Sequence, residues 1–234
     1  MTNLTPVNDD TAASEPVDEA PGAPAGTGPH YFRTPVGDAE PRGLTLVLDG
    51  QPVDLLTADG VFSADRLDLG TQVLLREVPD PAPAGDLLDL GCGWGPLALA
   101  LARRSPKARV WAVDVNERAV ELTAQNAARL RLPGVRACTP DQVPAEIEFA
   151  TIWSNPPIRI GKPALHELLL HWLPRLAPDG VAYLVVQRHL GADSLASWLR
   201  DRGWAVERLA SRQGYRLLQV RRTAAAEVAA EVAP

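Results

Sequence analysis

Three closely spaced glycines stand where a strand-like segment gives way to a helix-like one. The segment Asp86–Leu90 predicts a buried strand, and Pro96–Arg104 predicts the helix that follows it. The turn between them contains Gly91, Gly93 and Gly95. Glycine adopts positive φ readily and lets a ligand approach the backbone closely. A dinucleotide fingerprint needs a further glycine at the position of Pro96, so the turn departs from that fingerprint.

Strand-like and helix-like segments alternate around this turn, which predicts an α/β fold with a mostly parallel sheet and helices on both faces. Two hairpins are expected, one around Asp49-Gly50 and one at the C-terminal end, where it makes a sheet edge antiparallel. A turn at Pro178-Asp179-Gly180 is expected to end the fourth helix. The predicted strands are Leu44–Leu48, Pro52–Leu56, Asp86–Leu90, Val110–Val113, Val135–Cys138, Phe149–Ser154, Val181–Gln187, Trp204–Leu209 and Tyr215–Val220. The predicted helices are Asp68–Glu77, Pro96–Arg104, Glu117–Leu130, Ala164–Leu176 and Ser194–Arg202.

The two ends of the chain differ in composition from its middle. Residues 1–28 are rich in Pro, Ala, Gly and Asp and contain no aromatic residue, which predicts a disordered leader. Residues 223–234 are expected to form a flexible tail. We therefore expect one catalytic domain, residues 29–222, with a small hairpin at its N-terminal end.

Composition excludes several classes of protein. No apolar run reaches the roughly 20 residues that span a bilayer, so no membrane association is expected. Two cysteines without metal-ligand spacing predict neither a disulfide framework nor a metal site and fit the cytoplasm. The net charge of -6 resides in residues 1–40, which carry seven acidic residues and one basic residue, so the remainder is neutral.

Two acidic residues lie at the ends of neighbouring predicted strands. Asp89 stands just before the glycine turn, where a carboxylate suits the ammonium of an amino-acid moiety or a sulfonium better than a pyrophosphate. Asp114 ends the next strand, 23 positions after Gly91. An acid at that place can accept hydrogen bonds from both ribose hydroxyls. Without the glycine turn nearby, the simpler interpretation of Asp114 is a solvent-exposed acid at the end of a strand.

The sequence Asn155-Pro156-Pro157-Ile158 follows the fourth strand of the predicted sheet. Two prolines stiffen the backbone and prevent a helix from continuing. The side-chain carbonyl of Asn155 and the backbone carbonyl of Pro156 can then both face the cleft. An NH2 group that donates to two fixed acceptors is oriented for attack without a strong base. A proline-rich turn with no chemistry is the simpler alternative.

These motifs resemble those of class I S-adenosylmethionine-dependent methyltransferases. The segment Asp89 to Gly95 is similar to their motif I, and Asp114 to their ribose-binding acid. The resemblance implies a Rossmann-like sheet of seven strands that ends in an antiparallel hairpin, with S-adenosyl-L-methionine as cofactor. The implied cofactor-binding residues are Asp89, Gly91, Cys92, Gly93, Gly95, Asp114, Val115, Asp141, Asn155 and Thr71.

The Asn-Pro-Pro sequence resembles the signature of enzymes that methylate adenine N6, cytosine N4, guanine N2 or a protein glutamine. Adenine and glutamine enzymes usually carry Tyr or Phe where this chain has Ile158. Further matches over about residues 30–221 are similar to the guanine-N2 methyltransferases of small-subunit (16S) ribosomal RNA. The resemblance implies that ribosomal RNA or the small ribosomal subunit is the partner, and that the catalytic residues are Asn155, Pro156, Pro157 and Ile158.

For several other residues the sequence allows either a functional role or a purely structural one. Phe62 either covers the cofactor or base, or belongs to the core. Arg159 and Lys162 either hold RNA phosphates or are solvated surface charges. Thr71 either donates to the cofactor carboxylate or caps a helix. Seven arginines between positions 200 and 222 form either an RNA-binding face or ordinary surface charge.

Two other functions remain open at this point. One is methylation of a protein glutamine or a small-molecule amine, and Ile158 counts against the glutamine version. The other is a non-catalytic, cofactor-binding protein that interacts with RNA, against which the intact Asn-Pro-Pro sequence counts. Long members of the family carry an extra N-terminal domain, whereas this chain has only a short acidic leader. A monomer is the favoured oligomeric state.

Overall fold

The structure, a computed structural model, describes residues 40–223, in which strands and helices alternate. The predicted leader, residues 1–28, and the tail from residue 224 onward lie outside the described residues. The strands are β1 Arg42–Leu48, β2 Gln51–Thr57, β3 Ala84–Leu90, β4 Lys107–Val113, β5 Val135–Cys138, β6 Phe149–Ser154, β7 Leu176–Gln187, β8 Ala205–Arg212 and β9 Tyr215–Arg221. The helices are α1 Leu69–Glu77, α2 Pro96–Arg104, α3 Glu117–Arg129, α4 Lys162–Trp172 and α5 Ala192–Arg200.

Seven of the strands form one sheet in the order β5-β4-β3-β6-β7-β9-β8. The strands from β5 to β7 are parallel, whereas β9 runs antiparallel to both β7 and β8. The predicted α/β fold with an antiparallel C-terminal hairpin is confirmed. Because the strand order reverses between β4-β3 and β6, the carboxyl ends of β3 and β6 flank a topological switch point, where open sheets bind ligands.

Two apolar clusters cover the two faces of this sheet. Side chains alternate between them along each central strand, as the strand period of two requires. Leu87 and Val110 belong to one cluster, and Leu88 and Trp111 belong to the other. Both faces are therefore buried, which agrees with the nearly continuous apolar character of β3 and β4.

The N-terminal hairpin, β1 and β2, forms a separate two-stranded sheet. Asp49 and Gly50 at its tip both have positive φ, +50° and +74°, as a two-residue hairpin turn requires. The side chain of Asn126 on α3 joins this hairpin to the main domain. Its Oδ1 accepts from the amide of Leu56 at 2.6 Å, and its Nδ2 donates to the carbonyls of Leu56 and Trp94 at 2.8 and 2.9 Å.

The prediction for the fourth helix was wrong at its C-terminal end. Helix α4 stops at Trp172 and continues only as a short 3-10 turn, Leu173–Arg175, because Pro174 lacks the amide hydrogen a helix needs. The expected turn at Pro178-Asp179-Gly180 lies inside β7, where the pairing with β6 shifts register. Gly180 lets β7 pack closely against β6 there, since a Cβ on it would lie 2.7 Å from the carbonyl oxygen of Phe149.

No helix between residues 40 and 223 combines the length and apolar character that crossing a bilayer requires.

Candidate functional site

The glycine turn after β3 has the backbone geometry expected of it. Gly91, Gly93 and Gly95 have φ values of +80°, +56° and +99°, a region that favours glycine. The amides of Gly91 and Cys92 donate to the carbonyl of Val113 at 2.8 and 3.0 Å, which fixes the turn against the end of β4. Helix α2 begins immediately after Gly95.

A small, partly open cavity lies over this turn. It is bounded by three parts of the chain: the turn itself, the segment that leads into α1, and the residue that follows β6. Among its lining residues are Phe62, Asp68, Thr71, Gly91, Cys92, Gly93 and Asn155. The structure thus brings the glycine turn and the first residue of the Asn-Pro-Pro sequence to one place.

Asp89 lies beneath the turn and does not contribute to the cavity lining. Its side chain is fully buried, and its Oδ2 accepts from the amide of Ala98 in the first turn of α2 at 2.8 Å. Burial raises the pKa of Asp89 to about 8, and the nearby Asp114 adds to the rise. Its Oδ1 is buried and has no hydrogen-bond partner among the described residues, so one acceptor position of this group is unsatisfied.

Asp114 follows β4 and faces the same turn. Its Oδ2 accepts from the amide of Gly93 and its Oδ1 from the amide of Asn116, both at 2.9 Å. Burial raises the pKa of Asp114, and these backbone hydrogen bonds oppose the rise. Each oxygen keeps a further lone pair, so the carboxylate can still accept a hydroxyl donor.

The carboxamide of Asn155 has one defined orientation. Its Nδ2 donates to Oδ2 of Asp68 at 2.7 Å and to Oγ1 of Thr71 at 3.1 Å. Those two bonds account for both amide hydrogens, so the carbonyl oxygen of the side chain is the group that can receive a donor. Gly70 lies beside that oxygen, and a Cβ added to it would be in tight contact at 3.1 Å.

The other residues of the Asn-Pro-Pro sequence have contacts of their own. The carbonyl of Pro156 already accepts from the amide of Ile158 at 2.8 Å, so one lone pair remains for another donor. Pro156 is buried and Pro157 is exposed. The side chain of Ile158 packs against the apolar cluster that contains Leu165 and Ile152, which gives it a packing role in the structure.

Thr71 and Phe62 both line the cavity. The Thr71 hydroxyl accepts from Asn155, so its own hydrogen can still donate to another group. Phe62 is 64% exposed, a large apolar side chain open to solvent at the rim. Its segment is anchored because Nδ2 of Asn116 donates to the carbonyl of Gly60 at 2.9 Å.

The remaining predicted residues lie outside the cavity lining or have other partners. Asp141 is exposed in a 3-10 turn after β5, and its Oδ1 accepts from the hydroxyl of Thr139 at 2.6 Å. Val115 is 39% exposed beside Asp114. Arg159 and Lys162 are exposed near the start of α4. Burial raises the pKa of the Cys92 thiol well above its ordinary value, which makes it a poor nucleophile.

Sequence reasoning missed three contributors to this site. Asp68 and Gly70 were predicted only as members of the first helix and Tyr215 only as a member of the last strand, and all three fell within the family matches over residues 30–221. A Cβ on Gly70 would lie 2.9 Å from both Asp68 Oδ2 and Tyr215 Cε1, so the three residues meet beside Asn155. A glycine in the first turn of a predicted helix was the one available signal.

Comparison with known proteins gives matches over most of the chain. Residues 52–219 match the family model described as the methyltransferase small domain. The uncharacterized protein YbxB of Bacillus subtilis is 33% identical over 196 residues, which cover 82% of this chain and 98% of YbxB.

Two further matches come from ribosomal RNA enzymes. A ribosomal RNA small subunit methyltransferase C of Stutzerimonas stutzeri is 39% identical over 124 residues, which cover 53% of this chain but 37% of that enzyme. The solved structure of a T. thermophilus 16S rRNA N2 methyltransferase with AdoMet and guanosine superposes with a TM-score of 0.68 at 24% identity. That match covers 81% of this chain and 52% of that one. The chain therefore spans about half or less of the length of these two enzymes.

Proposed function

The chain belongs to the methyltransferase small domain family, and on that premise we propose that it transfers a methyl group from S-adenosylmethionine to the exocyclic N2 amine of a guanine in small-subunit ribosomal RNA. The observation that carries this proposal is the position of Asn155, which lines the same cavity as the glycine turn. An amine acceptor and a cofactor donor need that proximity to react.

The residues around the turn fit S-adenosylmethionine. The carboxylate of Asp114 has lone pairs free for the ribose hydroxyls. The buried Oδ1 of Asp89 has no hydrogen-bond partner among the described residues and is an acceptor for a donor group of the cofactor. The Thr71 hydroxyl and the backbone of Gly91 and Gly93 line the cavity where the methionine part would lie. When bound, the cofactor supplies an electrophilic methyl on its sulfonium.

The chain itself orients the acceptor amine. In this proposal, the side-chain carbonyl of Asn155 and the remaining lone pair of the Pro156 carbonyl accept the two N2 hydrogens. The nitrogen is then directed at the methyl group, and its proton leaves to solvent after the bond forms. The guanine must leave its stack to reach the cavity, and the exposed ring of Phe62 at the rim is placed to contact it.

The choice of RNA guanine rests on the family and on Ile158. Relatives named as small-subunit ribosomal RNA methyltransferases match half of the chain, and position 158 lacks the aromatic ring typical of adenine and glutamine enzymes. Exposed Arg159 and Lys162 beside the catalytic loop offer positive charge for phosphates. Ribosomal RNA or the small subunit is therefore the proposed partner, with the cytoplasm as the expected location.

The decisive assay offers the purified protein several acceptors together with methyl-labelled S-adenosylmethionine. The acceptors are small ribosomal subunits from cells that lack the gene, naked ribosomal RNA from the same cells, and a release-factor protein. Nuclease digestion and mass spectrometry of the nucleosides should find label in N2-methylguanine. Label in adenine or in the protein would overturn the proposed substrate.

A catalytic variant separates chemistry from binding in the same assay. Asn155→Ala should lower turnover by about a hundredfold or more, by analogy with the loss of one transition-state hydrogen-bond donor elsewhere. Its affinity for S-adenosylmethionine should change little. Equal turnover of the variant and the wild-type protein would show that Asn155 does not orient the acceptor.

A further inference from the structure

Asp68 has a second contact besides its role at the start of α1. Its Oδ2 accepts from the amides of Gly70 and Thr71 at 2.7 and 3.2 Å, which caps the helix. The same oxygen accepts from Nδ2 of Asn155 at 2.7 Å, across 87 positions of sequence. One carboxylate thus joins the helix that borders the cavity to the residue that follows β6.

We propose that Asp68 is a positioning residue that holds the Asn155 carboxamide with its oxygen available to the acceptor amine. This inference rests on the proposed function and deepens it, because it names the group that sets the orientation of the proposed catalytic residue. A carboxamide can rotate by half a turn and exchange its oxygen with its nitrogen at little steric cost. The contacts of Asn155 must therefore select one orientation.

The chemistry of the two partners makes that selection. An oxygen that already receives three N–H groups cannot itself donate, so Oδ2 of Asp68 accepts only. The inverted carboxamide would set its oxygen against this carboxylate oxygen and lose a charge-assisted hydrogen bond. The Thr71 hydroxyl alone gives no such preference, since it can either donate or accept.

The surrounding packing makes the arrangement rigid. Asp68 is fixed by the helix that it caps, and a Cβ on Gly70 would lie 2.9 Å from its Oδ2. Asn155 follows β6, a buried strand in the centre of the sheet, and Ser154 before it donates to the carbonyl of Leu90 at 2.7 Å. Two rigid elements therefore meet through the hydrogen bonds that Asn155 donates to Asp68 and Thr71, which is how a reactive group is held in a productive orientation.

Asp68→Ser separates the two roles of Asp68. Serine is as good a helix cap as aspartate, but its shorter side chain withdraws the oxygen from Asn155. We expect turnover with ribosomal RNA to fall about tenfold or more, while the KM values and the melting temperature stay close to the wild-type values. Asp80→Ser, at an exposed acid in the loop before β3, is the matched control. Turnover of Asp68→Ser equal to that of the control would overturn the proposal.

A spectroscopic measurement tests the contact without any activity. The side-chain NH2 signals of Asn155, identified by their loss in Asn155→Ala, should shift and exchange faster with water in Asp68→Ser but not in Asp80→Ser. Unchanged signals in Asp68→Ser would overturn the proposal even if the enzyme is active. If the wild-type protein methylates no RNA, the proposed substrate fails, and the NH2 signals still decide whether Asp68 holds Asn155.

A second variant covers the case in which Asp68→Ser does not fold. Asp68→Asn keeps the size of the side chain and the capping oxygen but removes the charge and adds a donor. We expect the NH2 signals of Asn155 to move in this variant and turnover to fall by a smaller factor. NH2 signals identical to those of the wild-type protein would contradict the proposal.

Discussion

The backbone amide of Gly93 donates to the carboxylate of Asp114 at 2.9 Å, so the glycine turn after β3 and the end of β4 are joined directly. The amide of Asn116 donates to the other carboxylate oxygen at the same distance. Both oxygens are therefore held in place before any ligand binds. A fixed acceptor loses little conformational entropy when a ligand arrives.

Asp114→Asn should weaken the binding of S-adenosylmethionine. One oxygen becomes an NH2 group, which cannot accept from a ribose hydroxyl and faces a backbone N–H. A hydrogen bond to a charged group contributes about 1.5–3 kcal/mol, so the dissociation constant should rise about tenfold to a hundredfold. Isothermal titration calorimetry measures it, with Asp179→Asn, at an exposed acid in β7, as control. Equal affinities of the two variants for S-adenosylmethionine would show that Asp114 does not bind the cofactor.

Asp89 should make the stability of the fold depend on pH. Burial raises its pKa to about 8 from an ordinary value of 3.8, so between these values the folded chain holds a proton that the unfolded chain has lost. Folding then takes up a proton, and this group's contribution to stability is present below about pH 4 and is lost as pH rises toward 8. Above that range the folded carboxyl is ionised as well and the slope ends.

Asp89→Asn isolates this effect, because asparagine keeps an oxygen for the amide of Ala98 but does not titrate. The free energy of unfolding of the wild-type protein should fall by about 1.4 kcal/mol per pH unit relative to the variant. Urea titrations at pH 5, 6 and 7 give the comparison. Parallel curves for the two proteins would mean that Asp89 is ionised in the folded state.

Gly70→Ala should damage the site more than the fold. The added Cβ would meet Asp68 Oδ2 and Tyr215 Cε1 at 2.9 Å and Asn155 Oδ1 at 3.1 Å, so these side chains must move apart. We expect turnover to fall at least about tenfold, since small displacements of positioned groups are costly in catalysis. Gly43→Ala is the matched control, because a Cβ on Gly43 in β1 meets nothing within 4 Å. Steady-state rates alike in both variants would show that the cluster tolerates displacement.

The sequence predicted the sheet and most of its elements because local patterns carry that information. Phe149–Ser154 and Pro96–Arg104 were predicted with the bounds that the structure has, since apolar strand periodicity and a proline at the first helical position are short-range signals. The end of α4 was missed, although Pro174 was a local signal. The Pro-Asp-Gly sequence at residues 178–180 predicted a later end for the helix, but it lies inside β7.

The contacts between distant parts of the chain could not be predicted in this way. The bond from Asn155 to Asp68 spans 87 positions, and the bonds from Asn126 to Leu56 span 70. Composition and periodicity specify which residues are buried but not which polar groups meet. Asp89 shows the same limit: its place before the glycine turn was evident, whereas its complete burial beneath the turn followed only from the packing of α2 on the sheet.

Asn126→Ala should therefore destabilise the fold although no sequence motif marks the position. The side chain is fully buried, and its removal leaves the amide and carbonyl of Leu56 and the carbonyl of Trp94 without that partner. A buried polar group left unpaired costs about 1–3 kcal/mol, so the loss in the free energy of unfolding should exceed about 2 kcal/mol. Hydrogen exchange should also show faster opening of the β1-β2 hairpin, which Asn126 joins to α3.

Gln125→Ala, at the exposed neighbouring position on the same helix, should change stability by less than about 0.5 kcal/mol. Urea unfolding of the two variants gives the comparison, and an equal effect of both would mean that the buried amide does not hold the hairpin to the domain.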